Sequence, residues 1–381
     1  MGRPRVLFAA KSLARYRVPF FQALRQRLAD DGIDLALVHG RPTPRDVDRR
    51  DGAELEWAGR RENQVLSIGG FELVWQRCLA DARLADLVVV EQASRLLLNY
   101  VLLGRQAAGL GKVAFWGHGA NLQPRTVHAS SEWLKRKVSR LPHWWFAYTE
   151  RSRERVTSLG YPAERVTVVQ NAQDTERLAA AVAAVTEGDR SRFRAEHRLG
   201  DGPVGLFLGS LSKDKRLGFL LDSCGRIAAR CPGFKLLVAG AGEELSRVHA
   251  AARLDGWLEP IGRVDELHER AVLLSVADAL LVPAAVGLVA LDSFAAGVPL
   301  VTTARSAHGP EVEYLRDGAN SVIVTPSDDA EAYAARAIEA ISDQGLRSRL
   351  VEGCRSAAQM YTLAGMVDRF AAGLHAALEA A

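Results

Sequence analysis

Residues 281–324 read LVPAAVGLVALDSFAAGVPLVTTARSAHGPEVEYLRDGANSVIV, and this stretch decides the fold that we expect. The apolar run 279–282, which overlaps its start, is typical of a buried strand. We predict a helix that begins near Gly287 and ends at Gly297, because glycine suits the position that follows a helix. Leu300–Thr303 predicts a second buried strand. A strand, a tight turn, a helix and a strand in this order form a unit of a parallel α/β sheet.

One carboxylate, Asp292, is predicted to lie inside this helix, roughly 7 Å from its start at ~1.5 Å per residue. That length separates the diphosphate of a nucleotide from its ribose. Free N–H groups at the start of a helix bind phosphates, and a carboxylate accepts hydrogen bonds from ribose hydroxyls. The pattern indicates a site for a nucleoside diphosphate, and an ordinary βαβ unit with a solvated Asp292 stays open as the alternative.

Three further loops follow predicted strands of the second half. The strand Val204–Leu208 leads into GSLSKDK at 209–215, and Lys235–Ala239 leads into a glycine-rich turn at Gly240. The third loop is IGRV at 261–264. Because ligands bind beyond the carboxyl ends of parallel strands, these loops are candidate binding elements.

The segments 286–303, 308–321 and 209–221 resemble the retaining family-4 glycosyltransferases, the glycosyl transferases group 1 of the GT-B fold. That family usually has two glutamates eight positions apart; here Asp292 stands at the second position and Ala284 at the first. The resemblance is strong from Val204 to Val324. The first half matches only in the short runs YRVPFF, FWGHG and VVQNAQD.

The resemblance implies roles for residues of the second half. Lys215 falls on the lysine that contacts the donor diphosphate, while Ser210 stands where the family has an arginine. Asp292 would hold the ribose, and His308 and Glu311 would line the sugar pocket next to Ala284. The donor-binding residues that it implies are Gly209, Ser210, Gly240, Arg263, Val264, Gly287, Leu288 and Asp292, with Lys215 also assigned to catalysis.

In the first half, strands and helical patterns alternate, which favours a doubly wound parallel sheet. The predicted strands are 6–10, 35–38, Leu87–Glu91, 112–116, 146–149 and 166–169. Glu91 and His118 stand at strand ends, where a histidine near its reference pKa hydrogen-bonds a sugar hydroxyl or a developing charge. We expect His118 to be catalytic; a histidine that caps the next loop is the alternative. Arg15 and Arg17 are candidates for an anionic acceptor or the donor diphosphate, or else form a solvated rim.

The stretch from Ser130 to Trp145, SSEWLKRKVSRLPHWW, is basic and carries tryptophans. As a helix it places Lys135, Arg136 and Arg140 opposite an apolar face, which is typical of a helix on an anionic membrane surface. A helix packed on its own domain with solvated basic residues is the alternative.

Composition sets broad limits. The 381 residues are 48% hydrophobic and 25% charged, which is typical of a globular protein of about two domains. The formal net charge of +4 suits anionic ligands and is too small to indicate nucleic acid. The four cysteines have neither metal-ligand nor disulfide spacing, and no apolar run reaches the ~18–20 residues of a spanning helix. We therefore expect a cytoplasmic protein, with peripheral attachment to the inner membrane face as a variant.

Taken together, the sequence predicts an α/β protein of the GT-B fold, with two Rossmann-like doubly wound domains facing a cleft. The predicted segments are an acceptor-side domain 1–174, linker helices 175–202, a nucleotide-sugar domain 203–360 and a crossing C-terminal helix 361–381. The expected activity is retaining transfer from a nucleotide sugar, UDP being favoured over GDP, to an unknown acceptor of which lipid-linked compounds are one class. We expect no metal, since no Asp-x-Asp pair follows a strand, and no cofactor. A nucleotide-sugar epimerase and a non-catalytic nucleotide-binding protein remain as alternatives.

Overall fold

A computed structural model describes residues 2–41, 52–68, 71–119, 137–304 and 308–381. The chain divides into two compact units. The first consists of Met1–Gln173 and Leu363–Ala381, and the second of Asp174–Thr362. The segment predicted as linker helices, 175–202, thus lies in the second unit.

The strands in chain order are β1 (Arg5–Ser12), β2 (Asp34–Gly40), β3 (Gly59–Arg60), β4 (Asn63–Ile68), β5 (Phe71–Gln76), β6 (Leu87–Glu91), β7 (Lys112–Gly117), β8 (Trp144–Ala147), β9 (Val166–Val168), β10 (Val204–Leu208), β11 (Lys235–Ala239), β12 (Leu258–Gly262), β13 (Ala279–Leu281), β14 (Leu300–Thr303) and β15 (Ser321–Val324). The α-helices within the described ranges are α1 (Val18–Asp30), α2 (Leu79–Ala82), α3 (Leu97–Ala107), α4 (Glu150–Ser158), α5 (Thr175–Ala183), α6 (Glu187–Glu196), α7 (Leu217–Arg230), α8 (Leu245–Ala252), α9 (Leu267–Val276), α10 (Val289–Ala296), α11 (Ala330–Ser342), α12 (Gln344–Met360) and α13 (Leu363–Glu379). None of these helices is long and apolar enough to cross a membrane.

Each unit is built on a parallel sheet. The strand order is β3-β2-β1-β6-β7-β8-β9 in the first unit and β12-β11-β10-β13-β14-β15 in the second. Consecutive residues of β1 such as Val6, Leu7 and Phe8 are all buried, as a strand covered on both faces requires. Two Rossmann-like sheets with flanking helices confirm the predicted fold class.

The C-terminal helix α13 belongs to the first unit, as predicted. The Phe370 ring stacks on Phe146 of β8 with their centroids 4.6 Å apart. At Gly373 a Cβ atom would lie 2.5 Å from the Thr167 hydroxyl oxygen, so only glycine permits this close approach to β9. The Phe370–Phe146 contact and the absence of a side chain at Gly373 together allow α13 to pack closely against the sheet.

In the second unit, α5 and α6 pack near α9. Asp174 caps α5 by accepting a hydrogen bond from the Arg177 N–H, and Thr186 caps α6. Val185, between them, packs with Ala271 and Val272 of α9 in a small apolar cluster.

Four predicted strands are confirmed to the residue: β6, β10, β11 and β14. The strand predicted at 146–149 is wrong by two residues, because Trp144 and Trp145 belong to β8 and are buried. The Trp145 indole N–H donates to the Ser139 carbonyl oxygen at 2.9 Å, which satisfies its polar edge inside the core. The antiparallel hairpin β4–β5 was not predicted.

In each of the two parallel sheets the strand order reverses at one place: between β1 and β6 in the first unit, and between β10 and β13 in the second. Helices leave the sheet in opposite directions there, and the loops after the two strands separate to form a crevice. These two switch points are where the side chains of interest lie.

Candidate functional site

At the switch point of the second unit, the loops that follow β10 and β13 are joined by a hydrogen bond. The Lys215 ammonium donates to the carbonyl oxygen of Ala285. The Lys215 side chain passes over Gly209, where a Cβ atom would lie 3.9 Å from Lys215 Cε. Burial lowers the pKa of Lys215, while the carboxylates of Asp214 and Glu311 act to raise it. A partly desolvated ammonium beside a loop is a strong potential partner for phosphate.

Ala285 has an unusual backbone conformation, with φ = +48°. An L-residue in this left-handed region is disfavoured by its Cβ atom. The Val286 N–H donates to His308 Nδ1 at 3.1 Å, and the Val286 carbonyl accepts from the Gly309 N–H at 2.6 Å. Both backbone groups of Val286 are therefore held by the loop after β14.

These contacts correct the predicted start of the helix. It begins at Val289 instead of near Gly287, because the polar groups of Val286 are committed to His308 and Gly309. Leu288, the residue before the first turn, has no side-chain oxygen with which to cap it. The N–H groups in the first turn of α10 therefore receive no hydrogen bond from a capping side chain at Leu288.

His308 has both ring nitrogens in use. Nδ1 accepts from Val286, so the proton resides on Nε2, which donates to the Thr303 carbonyl oxygen at 2.9 Å. The side chain is buried, and burial lowers its pKa. His308 therefore holds the Val286 loop through its ring nitrogens.

Glu311 is buried close to the same loop. A Cβ atom on Gly309 would lie 2.8 Å from Glu311 Oε2, and one on Gly287 would lie 3.8 Å from it. The carboxylate thus lies beside Gly287 and near Lys215, whose pKa it influences. Glu311 therefore provides a carboxylate near the loop that contains Ala284, a residue that has no carboxylate of its own.

Asp292 lies in the first turn of α10, not five residues inside a helix, and is 1% exposed. Its carboxylate forms an ion pair with Arg270 of α9, whose side chain is 33% exposed. The sequence analysis did not identify this arginine as a partner of Asp292. The sequence signal for a partly buried arginine at this position was that Arg270 directly precedes the apolar residues Ala271 and Val272, which are buried in the structure.

The other predicted donor-binding residues lie at neighbouring strand ends. A Cβ atom on Gly240 would lie 1.8 Å from the Gly209 carbonyl oxygen, so the two loops approach as closely as backbones can. The Ser210 and Ser212 hydroxyls are 3.2 Å apart. Arg263, which precedes the half-buried Val264, pairs with Asp265 at 2.6 Å.

The first unit has a cavity of about 190 Å³ at its own switch point. Lys11 and Arg17, both buried, line it together with Glu91, Arg95 and Trp116. Arg15, two residues before Arg17, is exposed instead. Of the two arginines predicted as anion contacts, Arg17 thus lies at the cavity.

His118 follows β7 near this cavity, with its ring 4.4 Å from that of Tyr148. Burial lowers its pKa to about 4, and the charges of Arg17 and Arg155 act in the same direction. The expectation of a near-reference pKa is therefore wrong, and the ring is neutral at pH 7. Nδ1 is buried and has no hydrogen-bond partner among the residues that the structure describes.

The stretch from Ser130 to Trp145 is described only from residue 137 onward, so Lys135 and Arg136 lie outside the described residues. Trp144 and Trp145 are core residues of β8, so they are not available to a membrane surface. Arg140 is exposed.

The described ranges contain no group of three His, Cys, Asp or Glu side chains placed to hold a metal ion.

Comparisons with known proteins show which families and structures this chain is similar to. Residues 202–343 match the family model described as glycosyl transferases group 1. The phosphatidyl-myo-inositol mannosyltransferase of Mycolicibacterium smegmatis is 30% identical over 156 residues, covering 40% of this chain and 39% of that protein. The glycogen synthase of Mycobacterium tuberculosis is 29% identical over 237 residues, covering 60% of this chain and 51% of that protein. The chain thus matches less than two thirds of the length of either relative.

Among solved structures, Anabaena HepE in complex with UDP superposes with a TM-score of 0.72 at 15% identity. The superposition covers 97% of this chain and 99% of HepE, and at this identity it establishes the fold. The chain has the GT-B fold, and residues 202–343, which include both residues of the Lys215–Ala285 contact, are similar to the glycosyl transferases group 1 family.

Proposed function

We propose that this protein is a retaining glycosyltransferase that moves a glycosyl group from a nucleoside diphosphate sugar to an acceptor hydroxyl. The observation that carries this proposal is the Lys215–Ala285 contact at the switch point of the matched domain. The ammonium hydrogen-bonds Ala285, four residues before α10 begins at Val289, so we propose that a diphosphate contacts both the ammonium and the first amides of α10.

In the proposed reaction, the bond between the anomeric carbon and the diphosphate oxygen breaks. The acceptor oxygen forms the new bond on the same face of the sugar, and the acceptor proton passes to an oxygen of the leaving β-phosphate. Lys215 and the amides of α10 stabilise the charge that develops on the leaving group. Because these groups supply the positive charge, we propose that turnover needs no divalent metal, and added chelator should leave the rate unchanged.

Asp292 remains our candidate for the ribose contact. Its carboxylate is 1% exposed and forms an ion pair with Arg270. Ribose hydroxyls would therefore have to hydrogen-bond a carboxylate that already pairs with this arginine. Discrimination between UDP and 2′-deoxy-UDP tests the contact. His118 is proposed as a neutral hydrogen-bonding partner for a substrate hydroxyl in the first unit, since Nδ1 is buried there.

UDP is the proposed nucleotide because HepE, whose fold this chain shares, was solved in complex with UDP. The name of the mannosyltransferase relative includes a lipid acceptor. Trp144 and Trp145 are buried and are not part of a membrane-binding surface, while Trp133, the tryptophan of the predicted helix face, lies outside the described residues.

The proposal is tested by thermal unfolding with UDP, GDP and their sugars, followed by turnover measurements with the sugar that binds. A ligand at ~100 times its Kd adds about 2.7 kcal/mol to the free energy of unfolding. We expect UDP to raise the melting temperature more than GDP does. Sugar release from the donor should accelerate when an acceptor is added.

Two other outcomes would replace the proposal. Conversion of the donor sugar to an epimer without an acceptor would indicate an epimerase. Binding of UDP without hydrolysis or transfer to any acceptor tested would indicate a nucleotide-binding protein that lacks catalysis, in keeping with Ala284 at the first glutamate position.

A further inference from the structure

Arg216, the residue after Lys215, has an unusual backbone conformation. Its φ is +55° and its ψ is +45°, in the left-handed region that a Cβ atom disfavours. It lies between the short turn Lys213–Lys215 and the start of α7. Its N–H donates to the Lys213 carbonyl oxygen at 3.2 Å, and its carbonyl oxygen accepts from the Leu220 N–H at 3.0 Å. Because glycine adopts this conformation more easily, contacts of the arginine side chain are needed to offset the cost.

The Arg216 side chain makes three such contacts. Nη1 donates to the Ser327 carbonyl oxygen at 2.9 Å, and Nη2 donates to Asp328 Oδ1 at 2.7 Å. The guanidinium carbon lies 4.3 Å from the ring centroid of Phe219, in the first turn of α7. Two hydrogen bonds and a ring against its face hold the guanidinium in one orientation. The side chain is 26% exposed, so the contact is less open to water than an ordinary surface ion pair.

These contacts join the loop after β10 to the segment after β15, which contains Ser327 and Asp328. Lys215 joins the same loop to Ala285 after β13. Two consecutive side chains thus attach one turn to two different loops of the second unit. Neighbouring Cα atoms lie only ~3.8 Å apart, so release of Arg216 would also release the backbone that carries Lys215.

From these contacts we infer that Arg216 is a positioning residue for Lys215. It fastens the turn Lys213–Lys215 to the segment after β15 and thereby keeps the Lys215 ammonium at the Ala285 carbonyl oxygen. Protein acceptors engage Nη1 and Nη2 of Arg216, so we assign it an action through Lys215 and no direct contact with the nucleotide. The inference rests on the proposed function, in which Lys215 contacts the donor diphosphate.

The test is calorimetric titration of UDP into variants of the full-length protein. Arg216→Gln should weaken UDP by about fivefold or more, because the ammonium is no longer held in place. Arg216→Lys, which keeps the charge and can donate to one of the two acceptors, should restore part of this loss. Arg230→Gln is the matched control: Arg230 is the last residue of α7, pairs with Glu331 and should leave UDP affinity unchanged. Equal effects of Arg216→Gln and Arg230→Gln would overturn the inference.

A change at Asp328 distinguishes positioning from electrostatic attraction. Asp328→Asn removes the charged partner of Arg216, so we expect UDP to bind more weakly to this variant as well. If Arg216 only attracted the nucleotide by its charge, loss of a nearby carboxylate would make UDP bind more tightly. Tighter binding of UDP to Asp328→Asn would therefore contradict the inference.

The substitution Arg216→Gly distinguishes positioning from stability. It removes the side-chain contacts but adopts the left-handed conformation freely, so it should melt at no lower temperature than Arg216→Gln. We expect both variants to weaken UDP by the same factor, and the glycine variant serves if the glutamine variant fails to fold. UDP affinity that followed the melting temperature across these variants would indicate a purely structural role and overturn the inference.

A double-mutant cycle with Lys215→Ala separates this inference from the proposed function. If Arg216 acts through Lys215, Arg216→Gln should change UDP affinity by less than about twofold in the Lys215→Ala background. Effects that multiply would show that Arg216 acts independently and would remove this inference alone, while weaker UDP binding by Lys215→Ala leaves the proposed function standing. Failure of the unaltered protein to bind UDP would overturn the proposed function and this inference together.

Discussion

Lys215 and Ala285 are joined by a hydrogen bond from the lysine ammonium to the alanine carbonyl oxygen. The two residues are 70 positions apart, on loops that follow the strands β10 and β13. Because these strands flank the switch point, the contact joins the two loops there, and it does so four residues before α10 begins at Val289. The ammonium has three donors, so it can keep this bond and still contact a phosphate.

Lys215→Ala should lower glycosyl transfer by ~10²-fold or more, since it removes a charged contact to the leaving group. The measurement is kcat at saturating donor, with circular dichroism to check the fold. Lys213→Ala is the matched control: Lys213 lies in the same turn, is 78% exposed and pairs with Glu243. Near-normal turnover in the Lys215 variant would remove this residue from the mechanism.

Ala285→Gly should stabilise the second unit by about 0.5–1 kcal/mol. Glycine adopts the left-handed conformation freely, and this gain exceeds the entropy that it loses on folding. The same substitution at Ala290, inside α10, should instead destabilise by about 1 kcal/mol or more, because glycine is unfavourable in a helix. Urea unfolding of both variants measures the difference, and equal losses would refute strain at Ala285.

The ion pair between Arg270 and Asp292 should respond unequally to removal of each partner. Arg270→Met leaves a carboxylate that is 1% exposed without this partner and should cost about 3–5 kcal/mol. Asp292→Asn leaves an arginine that is 33% exposed, which water can solvate, and should cost about 1–2 kcal/mol. Unfolding of the single and double variants completes a double-mutant cycle. A larger loss for Asp292→Asn would reverse our assignment of the buried partner.

The buried His118 should make stability depend on pH. Its pKa is about 4 in the folded protein against 6.5 as the ordinary value, so the unfolded chain binds the proton first as the pH falls. Its contribution is therefore complete above pH ~6.5 and is lost towards pH ~4, by up to roughly 3 kcal/mol. His118→Gln should flatten this dependence, whereas His249→Gln, at an exposed histidine, should not. A nuclear magnetic resonance titration that gives His118 a pKa near 6.5 would contradict this.

Much of the fold could be predicted because parallel strands are buried on both faces and form continuous apolar runs. The strands β6, β10, β11 and β14 are of this kind, and their bounds agree with the prediction. The strand β8 was shifted because Trp144 and Trp145 were assigned to the end of the basic stretch that begins at Ser130. Composition alone does not distinguish a tryptophan at a membrane surface from one in a core.

The candidate site was predictable in its position and less so in its contacts. The glycine and lysine loops after β10 and β13 follow from their motifs, and the structure brings Lys215 to Ala285. The role of His308 could not be predicted, because its ring bonds to the backbone of a loop 22 residues earlier. The Arg270–Asp292 pair also spans 22 residues and joins two helices whose packing the sequence does not state.

The central claim is that the second unit binds a nucleoside diphosphate through Lys215. Calorimetric titration of UDP into the protein and into its Lys215→Ala variant tests this most directly. We predict one UDP per chain, with affinity at least tenfold lower in the variant, which corresponds to ~1.4 kcal/mol or more. Absence of UDP binding to the unaltered protein, or equal affinity in both proteins, would contradict the account.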